Sequence, residues 1–193
     1  MKNLFLTVVF LTGFLLVGCQ DSNINPVSPS ENQPAVLKGE TNSNSSLHKA
    51  SDNLITIFQT IDGSQGGNIT VDRDVVVDNR IVHVNADLDF SQGSFDGVLD
   101  ITMIIDLNDA SITFLPHMDS FNANVNLDVT ITGLDLGKLN LDQSKFVYFA
   151  YFNDAGIPVE KISSKKVHVD YKSGTLTVNN AELKHFSRYA WAT

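Results

Sequence analysis

Hydrophobic and polar residues alternate with a period of two along most of the chain after residue 54. Between residues 82 and 90, apolar side chains at the even positions alternate with His83, Asn85, Asp87 and Asp89. Successive side chains of a β-strand point to opposite faces, so this pattern indicates a strand that is buried on one face only. The outward face of this strand is predicted to be polar.

The same alternation recurs at several other places in the chain. It is found around residues 55–57, 69–71, 101–107, 125–131, 167–171 and 176–178, and turn signals rich in Gly, Asn, Asp and Ser lie at 62–67, 92–94, 153–156 and 172–174. The last of these turns predicts a hairpin. We therefore predict an all-β fold, a single antiparallel β-sandwich of about ten strands over residues 54–193.

Two stretches depart from this alternation. Residues 146–152 are apolar at every position, which predicts a central strand covered on both sides. Residues 139–145 could form one or two helical turns just before it, although no segment shows a sustained helical period.

The N-terminal segment has a different pattern. Lys2 precedes an uncharged stretch over residues 4–17, which has the basic start and apolar middle of a secretory signal. Since a membrane-spanning helix needs about 20 apolar residues, a retained span is the less favoured interpretation. Leu16-Val17-Gly18-Cys19 resembles the lipobox of bacterial lipoproteins. This resemblance implies that residues 1–18 are removed by cleavage between Gly18 and Cys19, and that Cys19 receives a diacylglyceryl group and an N-acyl chain.

Residues 19–53 are rich in Asn, Ser, Gln and Pro, and we interpret them as a lipidated, disordered tether. Cys19 is the only cysteine, so neither an intrachain disulfide nor a cysteine-based zinc site is expected. Gln20 follows the lipidated position. By the enteric sorting rule, carried over from the lipoprotein resemblance, Gln20 implies anchoring in the outer membrane, with the periplasmic and the surface face both left open.

The formal net charge of −9 makes nucleic acid a poor partner, because phosphate binding relies on clustered Lys and Arg. A calcium ion is one candidate ligand for the acidic residues. Asn85, Asp87 and Asp89 share one strand face, but a strand spaces such residues about 7 Å apart, so loops would have to complete the site. The alternative is a solvated acidic surface without a metal.

Three segments, residues 63–69, 114–131 and 185–190, resemble the ZU-type β-sandwich domains of ankyrins and netrin receptors, and uncharacterised bacterial exported relatives. Here Phe121-Asn122-Ala123-Asn124-Val125 lacks the proline of the family pattern. The resemblance implies a domain that works mainly through its surfaces. We therefore expect a non-catalytic binding or structural module that meets another protein, a glycan or a neighbouring envelope component.

Two enzymatic alternatives remain open. His185-Phe186-Ser187 has the same residues as the self-cleavage sequence of several ZU-related sensors and of an autoproteolytic nucleoporin. That resemblance implies attack of the Ser187 hydroxyl on the preceding carbonyl, assisted by His185. The alternative is a final β-strand without catalytic activity, with one face formed by His185, Ser187, Tyr189 and Trp191. The second enzymatic alternative is a carbohydrate-active enzyme with a pair of carboxylates.

Overall fold

The computed structural model describes residues 53–139 and 141–193. The predicted signal peptide, Gly18, Cys19 and almost all of the predicted tether lie outside these residues. Within them there is no helix long and apolar enough to span a membrane. The strands are β1 (Leu54–Asp62), β2 (Gly67–Val77), β3 (Arg80–Phe90), β4 (Val98–Asp106), β5 (Ser111–Met118), β6 (Val125–Thr132), β7 (Tyr148–Phe152), β8 (Pro158–Lys161), β9 (Lys166–Asp170), β10 (Thr175–Leu183) and β11 (Phe186–Ala192).

These strands form two antiparallel sheets. The six-stranded sheet has the order β1-β4-β5-β11-β7-β8, and the five-stranded sheet has the order β2-β3-β6-β10-β9. The predicted β-sandwich is therefore confirmed, with eleven strands described instead of about ten. The residue 172–174 turn connects β9 to β10 as a hairpin, as its Ser-Gly sequence predicts.

The core lies between the two sheets and is formed by the inward positions of the alternating strands. In β3, Val82, Val84, Ala86, Leu88 and Phe90 are all buried, as their spacing predicts. Opposite them, β4 contributes Ile101, Met103 and Ile105, and β11 contributes Tyr189 and Trp191. Burial of these side chains is the main stabilising contribution of the fold.

A β-bulge in β10 and an irregular pairing between β11 and β5 interrupt the alternation. In β10, pairing with β6 steps from Val178 to Ala181, so Asn179 and Asn180 together occupy one outward position. In β11, pairing with β5 is irregular between Phe186 and Arg188. Between these two pairs β11 has one residue and β5 has four. Phe186 lies in the core together with Tyr189, although the regular alternation places them on opposite faces. The predicted phase of the final strand is therefore wrong at its beginning.

The apolar stretch at residues 146–152 also differs from its prediction. Strand β7 begins only at Tyr148 and is second from the edge of its sheet, beside the short strand β8. Phe146 precedes the strand and is 97% exposed. Phe149 and Ala150 project to opposite sides of β7, and both are completely buried, so the strand is covered on both sides at these residues although it is not central in its sheet. Residues 139 and 141–145 form turns and irregular backbone, not helical turns.

Connections between the strands gather at two ends of the sandwich. The end at which the chain enters β1, here called the entry end, includes Leu54, the 78–79 and 107–110 turns, the 133–147 connection and Thr193. The opposite end, here called the far end, includes the 63–66, 91–97 and 119–124 connections. A Cβ atom on Gly63 would lie 2.2 Å from the Phe95 carbonyl oxygen, so only glycine fits where two far-end loops meet.

Candidate functional site

The outer face of the five-stranded sheet is polar, and it contains the three residues proposed to bind calcium. Asn85, Asp87 and Asp89 point outward from β3, as predicted. The register places each of them in a different cross-strand row. The neighbours in these rows are Asp72 and Thr130 for Asn85, Thr70 and Asp128 for Asp87, and Asn68 and Asn126 for Asp89.

Asp128 is the acidic side chain that the fold places beside Asp87. Its Oδ1 atom accepts hydrogen bonds from Asn179 Nδ2 at 3.2 Å and from the Asn180 amide at 2.9 Å, so it holds the bulge of β10. Among the described residues Asp87 Oδ1 is buried without a hydrogen-bond partner. In residues 53–139 and 141–193, no three His, Cys, Asp or Glu side chains are placed to hold one metal ion. Calcium binding stays a prediction.

His185 and Ser187 lie at one corner of the far end, where β10 turns into β11. The His185 ring packs edge-on against Tyr151, with ring centroids 4.7 Å apart, and its Nδ1 lies 3.3 Å from the Tyr189 hydroxyl. That hydroxyl donates a 2.6 Å hydrogen bond to the His185 carbonyl. Ser187 is half-buried where the pairing of β11 with β5 is irregular, and it lines a groove on the outer surface.

The environment of this corner shifts two pKa values. Burial lowers the pKa of His185, an effect that Glu160 opposes, so the imidazole is neutral at neutral pH. Burial raises the pKa of Tyr189. Within the described part of the chain, no hydrogen bond joins the His185 ring to the Ser187 hydroxyl. The structure thus brings the two proposed catalytic residues near each other without showing them paired, and self-cleavage stays a prediction.

The outer face of the six-stranded sheet carries large apolar side chains in two adjacent cross-strand rows. The first row runs Phe58, Thr102 and Leu115 across β1, β4 and β5. Phe58 is 50% exposed and Leu115 is 45% exposed. The second row includes the half-buried residues Thr56, Ile104, Thr113, Arg188 and Phe152. We call this surface the apolar face.

A shallow groove of about 490 Å³ continues the apolar face towards the far end. Phe152 and Leu115 supply its apolar wall, and polar atoms come from the residues around them. A second cavity of about 410 Å³ shares Phe152 and Arg188 with the groove. Arg188 forms an ion pair with Asp109, which fixes the guanidinium at the boundary of the two cavities. The polar residues that line the groove are Thr113, His117, Asn153, Asp154, Ser187 and Arg188.

Sequence reasoning did not find this surface. Phe58 and Leu115 stand at the outward phase of their strands, where the surrounding alternation places polar residues. Large apolar residues at such positions were the available signal. Their proximity depends on the strand order β1-β4-β5, which the alternation of a single strand does not reveal. Comparison of the chain with protein-family models, curated proteins and solved structures gives no match.

Proposed function

We propose that this protein is an envelope-anchored lipoprotein whose β-sandwich is a non-catalytic binding module, and that it holds its protein or glycan partner on the apolar face. The observation that carries this proposal is the row formed by Phe58 and Leu115 on the outer surface of the six-stranded sheet. Neither side chain is needed at that position to fill the core between the sheets. Both remain about half exposed.

The surroundings of the row support a binding role. An exposed apolar patch with polar residues at its rim is typical of surfaces that contact a partner. The groove beside the row provides that rim, because His117, Asp154 and Arg188 supply hydrogen-bond donors and acceptors next to Phe152. A few polar groups in an apolar wall fix the orientation of a bound chain.

The lipid anchor is supported by the lipobox resemblance at residues 16–19, which precedes the domain by a polar segment. Metabolic labelling with an alkyne analogue of palmitate tests it. The wild-type protein should carry the label and sediment with membranes, and Cys19→Ser should lose the label and leave the membrane fraction. Retention of both properties by Cys19→Ser would overturn the anchor.

The binding face is tested with two variants and a matched control. Phe58→Asp and Leu115→Asp place a charge in the row, and Gln92→Asp places the same charge on an exposed far-end loop outside the apolar face. Crosslinking to envelope proteins and cosedimentation with envelope polysaccharides measure partner capture. We expect both row variants to weaken capture about tenfold, which corresponds to about 1.4 kcal/mol, and the control to match the wild type. Equal capture by all three variants would remove the apolar face as the site.

Self-cleavage between Phe186 and Ser187 is the second candidate function. It is favoured by one observation, the placement of Ser187 where the pairing of β11 with β5 is irregular, directly after the buried Phe186. The intact mass of the purified protein decides this candidate when it is compared with that of Ser187→Ala. Two fragments in the wild type and one full-length species in the variant would establish cleavage. One full-length species in both would eliminate it.

A further inference from the structure

An almost completely exposed aromatic side chain marks the entry end of the sandwich. Phe146 is 97% exposed and lies two residues before β7. The first residue of β7, Tyr148, pairs with Ala192 at the end of β11. Two residues further along β7, the cross-strand row through Ala150 ends at Leu54, the first residue of β1. Phe146 is therefore at the same end of the domain as the point where residues 1–52 join it.

Two further apolar side chains are exposed at the entry end. Val76 and Ile81 are cross-strand partners beside the β2–β3 turn, and they are 61% and 69% exposed. This turn is joined to the connection that carries Phe146, because Lys138 forms an ion pair with Asp78. Val76 and Ile81 lie on the five-stranded sheet and Phe146 precedes a strand of the six-stranded sheet, so they form two separate exposed apolar sites at the entry end. Their side chains point to the outer surface and not to the core.

The charges of the two ends differ. At the entry end several acidic residues have a cation beside them, namely Asp78 with Lys138, Asp135 with Arg80, Asp142 with Lys145 and Asp109 with Arg188. At the far end Lys184 pairs with Glu160, and Asp62, Asp96 and Asp119 have no Lys or Arg partner within the described ranges. Two acidic residues of the entry end, Asp106 and Asp170, also have none there. An anionic surface would therefore repel the far end more strongly than the entry end.

We propose that the entry end rests on the lipid surface that holds Cys19, with the Phe146 ring in the headgroup region and the Val76–Ile81 pair as a second contact. This inference rests on the proposed lipid anchor. The chain outside the described residues ends at this end of the domain, so anchoring holds the entry end close to the membrane at high local concentration. Exposed aromatic residues favour the membrane interface because their rings leave water there. The apolar face and the far end then remain open to a partner.

The experiment uses the full lipidated protein in vesicles of phosphatidylethanolamine and phosphatidylglycerol. Because Cys19 is the only cysteine and is occupied by lipid, an introduced thiol is labelled alone. Gln143→Cys places a fluorophore three residues from Phe146, and Gln92→Cys places it on an exposed far-end loop as the matched control. Quenching by lipids that carry a nitroxide headgroup measures contact with the surface. We expect quenching to be several-fold stronger at position 143 than at position 92.

A second variant tests the role of the ring. Phe146→Ser in the Gln143→Cys protein should reduce quenching to the level at position 92. Because the Phe146 side chain is almost completely exposed, this substitution should leave the fold intact. Equal quenching at both labelled positions in vesicle-bound protein would overturn the contact and leave the lipid anchor standing. Wild-type protein that does not float with vesicles would overturn the anchor itself. Quenching at position 143 that depends on the density of protein on the vesicles and not on the density of nitroxide lipid would show that the entry end contacts a second copy of the chain. That result would overturn the lipid contact.

Discussion

The two outer faces of the sandwich have the same geometry and different chemistry. On the five-stranded sheet, most outward residues of the central strands are polar, as in the row of Asp87 and Asp128, and the exposed Val76–Ile81 pair lies at the entry end. On the six-stranded sheet, equivalent outward positions hold Phe58, Ile104 and Leu115. Both sheets contribute apolar side chains of the same kind to the core between them.

The comparison separates what the fold requires from what it does not. An antiparallel sandwich needs apolar residues on inward positions only, and a polar outer face satisfies that need on the five-stranded sheet. Apolar residues on the other outer face therefore add nothing to the core and increase the tendency of the protein to associate. The binding role proposed for this face would account for their presence, because such a surface is covered when a partner binds.

Removal of one residue from a regular strand should have the largest effect on stability, because it exchanges the inward and outward faces of part of the strand. Deletion of Asp87 shifts one part of β3 by one position and turns Leu88 and Phe90, or their counterparts before the deletion, to the outside. We expect the free energy of unfolding to fall by about 3–6 kcal/mol, which urea denaturation measures. Deletion of Asn180 is the control. It removes the extra residue of a bulge, leaves Ala181 and Leu183 facing inward, and should cost no more than about 1–2 kcal/mol. An equal loss of stability in the Asn180 and Asp87 deletions would contradict the assignment of Asn180 as the extra residue of a bulge in β10.

A smaller effect is expected from the acceptor that holds the bulge on the polar face. Asp128→Ala removes the acceptor for the Asn180 amide and should lower the free energy of unfolding by about 1 kcal/mol. Asp128→Asn keeps a side-chain oxygen and removes a negative charge beside Asp87, so it should be close to the wild type. Urea unfolding followed through Trp191 fluorescence compares the two variants. Equal losses would show that the charge, and not the hydrogen bond, is what stabilises the bulge.

Conversion of the apolar row to polar residues should cost still less. Phe58→Thr combined with Leu115→Thr makes the row resemble the opposite face, and about half of each wild-type side chain is already exposed. We expect the free energy of unfolding to change by less than about 1 kcal/mol, with an unchanged dependence on urea. A loss above about 2 kcal/mol would mean that the row is part of the hydrophobic core and not a binding surface.

The smallest expected effect concerns pH. On the edge of the polar face, the Ser173 hydroxyl and the Lys172 amide donate hydrogen bonds to Asp170 and lower its pKa. The unfolded chain binds a proton at higher pH than the folded one, so this contribution is complete above about pH 4 and is lost as the pH falls through the lowered pKa. Ser173→Ala should therefore weaken the fall of the unfolding free energy between pH 4 and more acidic values. An identical pH profile for the variant would show that this hydrogen bond does not act on folding.

The sequence was informative wherever a strand is regular and buried on one face. The alternation in β3 and β6 predicts both the strand and its inward side, because burial on one face of a strand imposes a period of two. The alternation fails where the pairing of two strands is irregular. Phe186 lies on the same side as Tyr189 because the pairing of β11 with β5 is irregular at Ser187, and nothing in the spacing of the final residues indicates this.

The candidate site was less predictable than the fold, because it depends on contacts between strands that are distant in sequence. Asn85 and Asp87 could be placed on one outward face, but the pairing that brings Asp128 beside Asp87 could not. The row of Phe58 and Leu115 needs β1, β4 and β5 to be neighbours, which long-range pairing decides. The exposure of Phe146 results from the late start of β7.

The position of β11 has a consequence for the order in which the domain can form. This last strand lies between β5 and β7, so it joins one part of the six-stranded sheet, β1-β4-β5, to the other part, β7-β8. A nascent chain cannot complete that sheet until Phe186–Ala192 has been synthesised. Until then the six-stranded sheet cannot fully cover the apolar inward side of the five-stranded sheet. The incomplete chain must therefore be kept unfolded or shielded from association with other chains. Release of the chain before β11 is made would thus yield an aggregation-prone species and not a smaller stable domain.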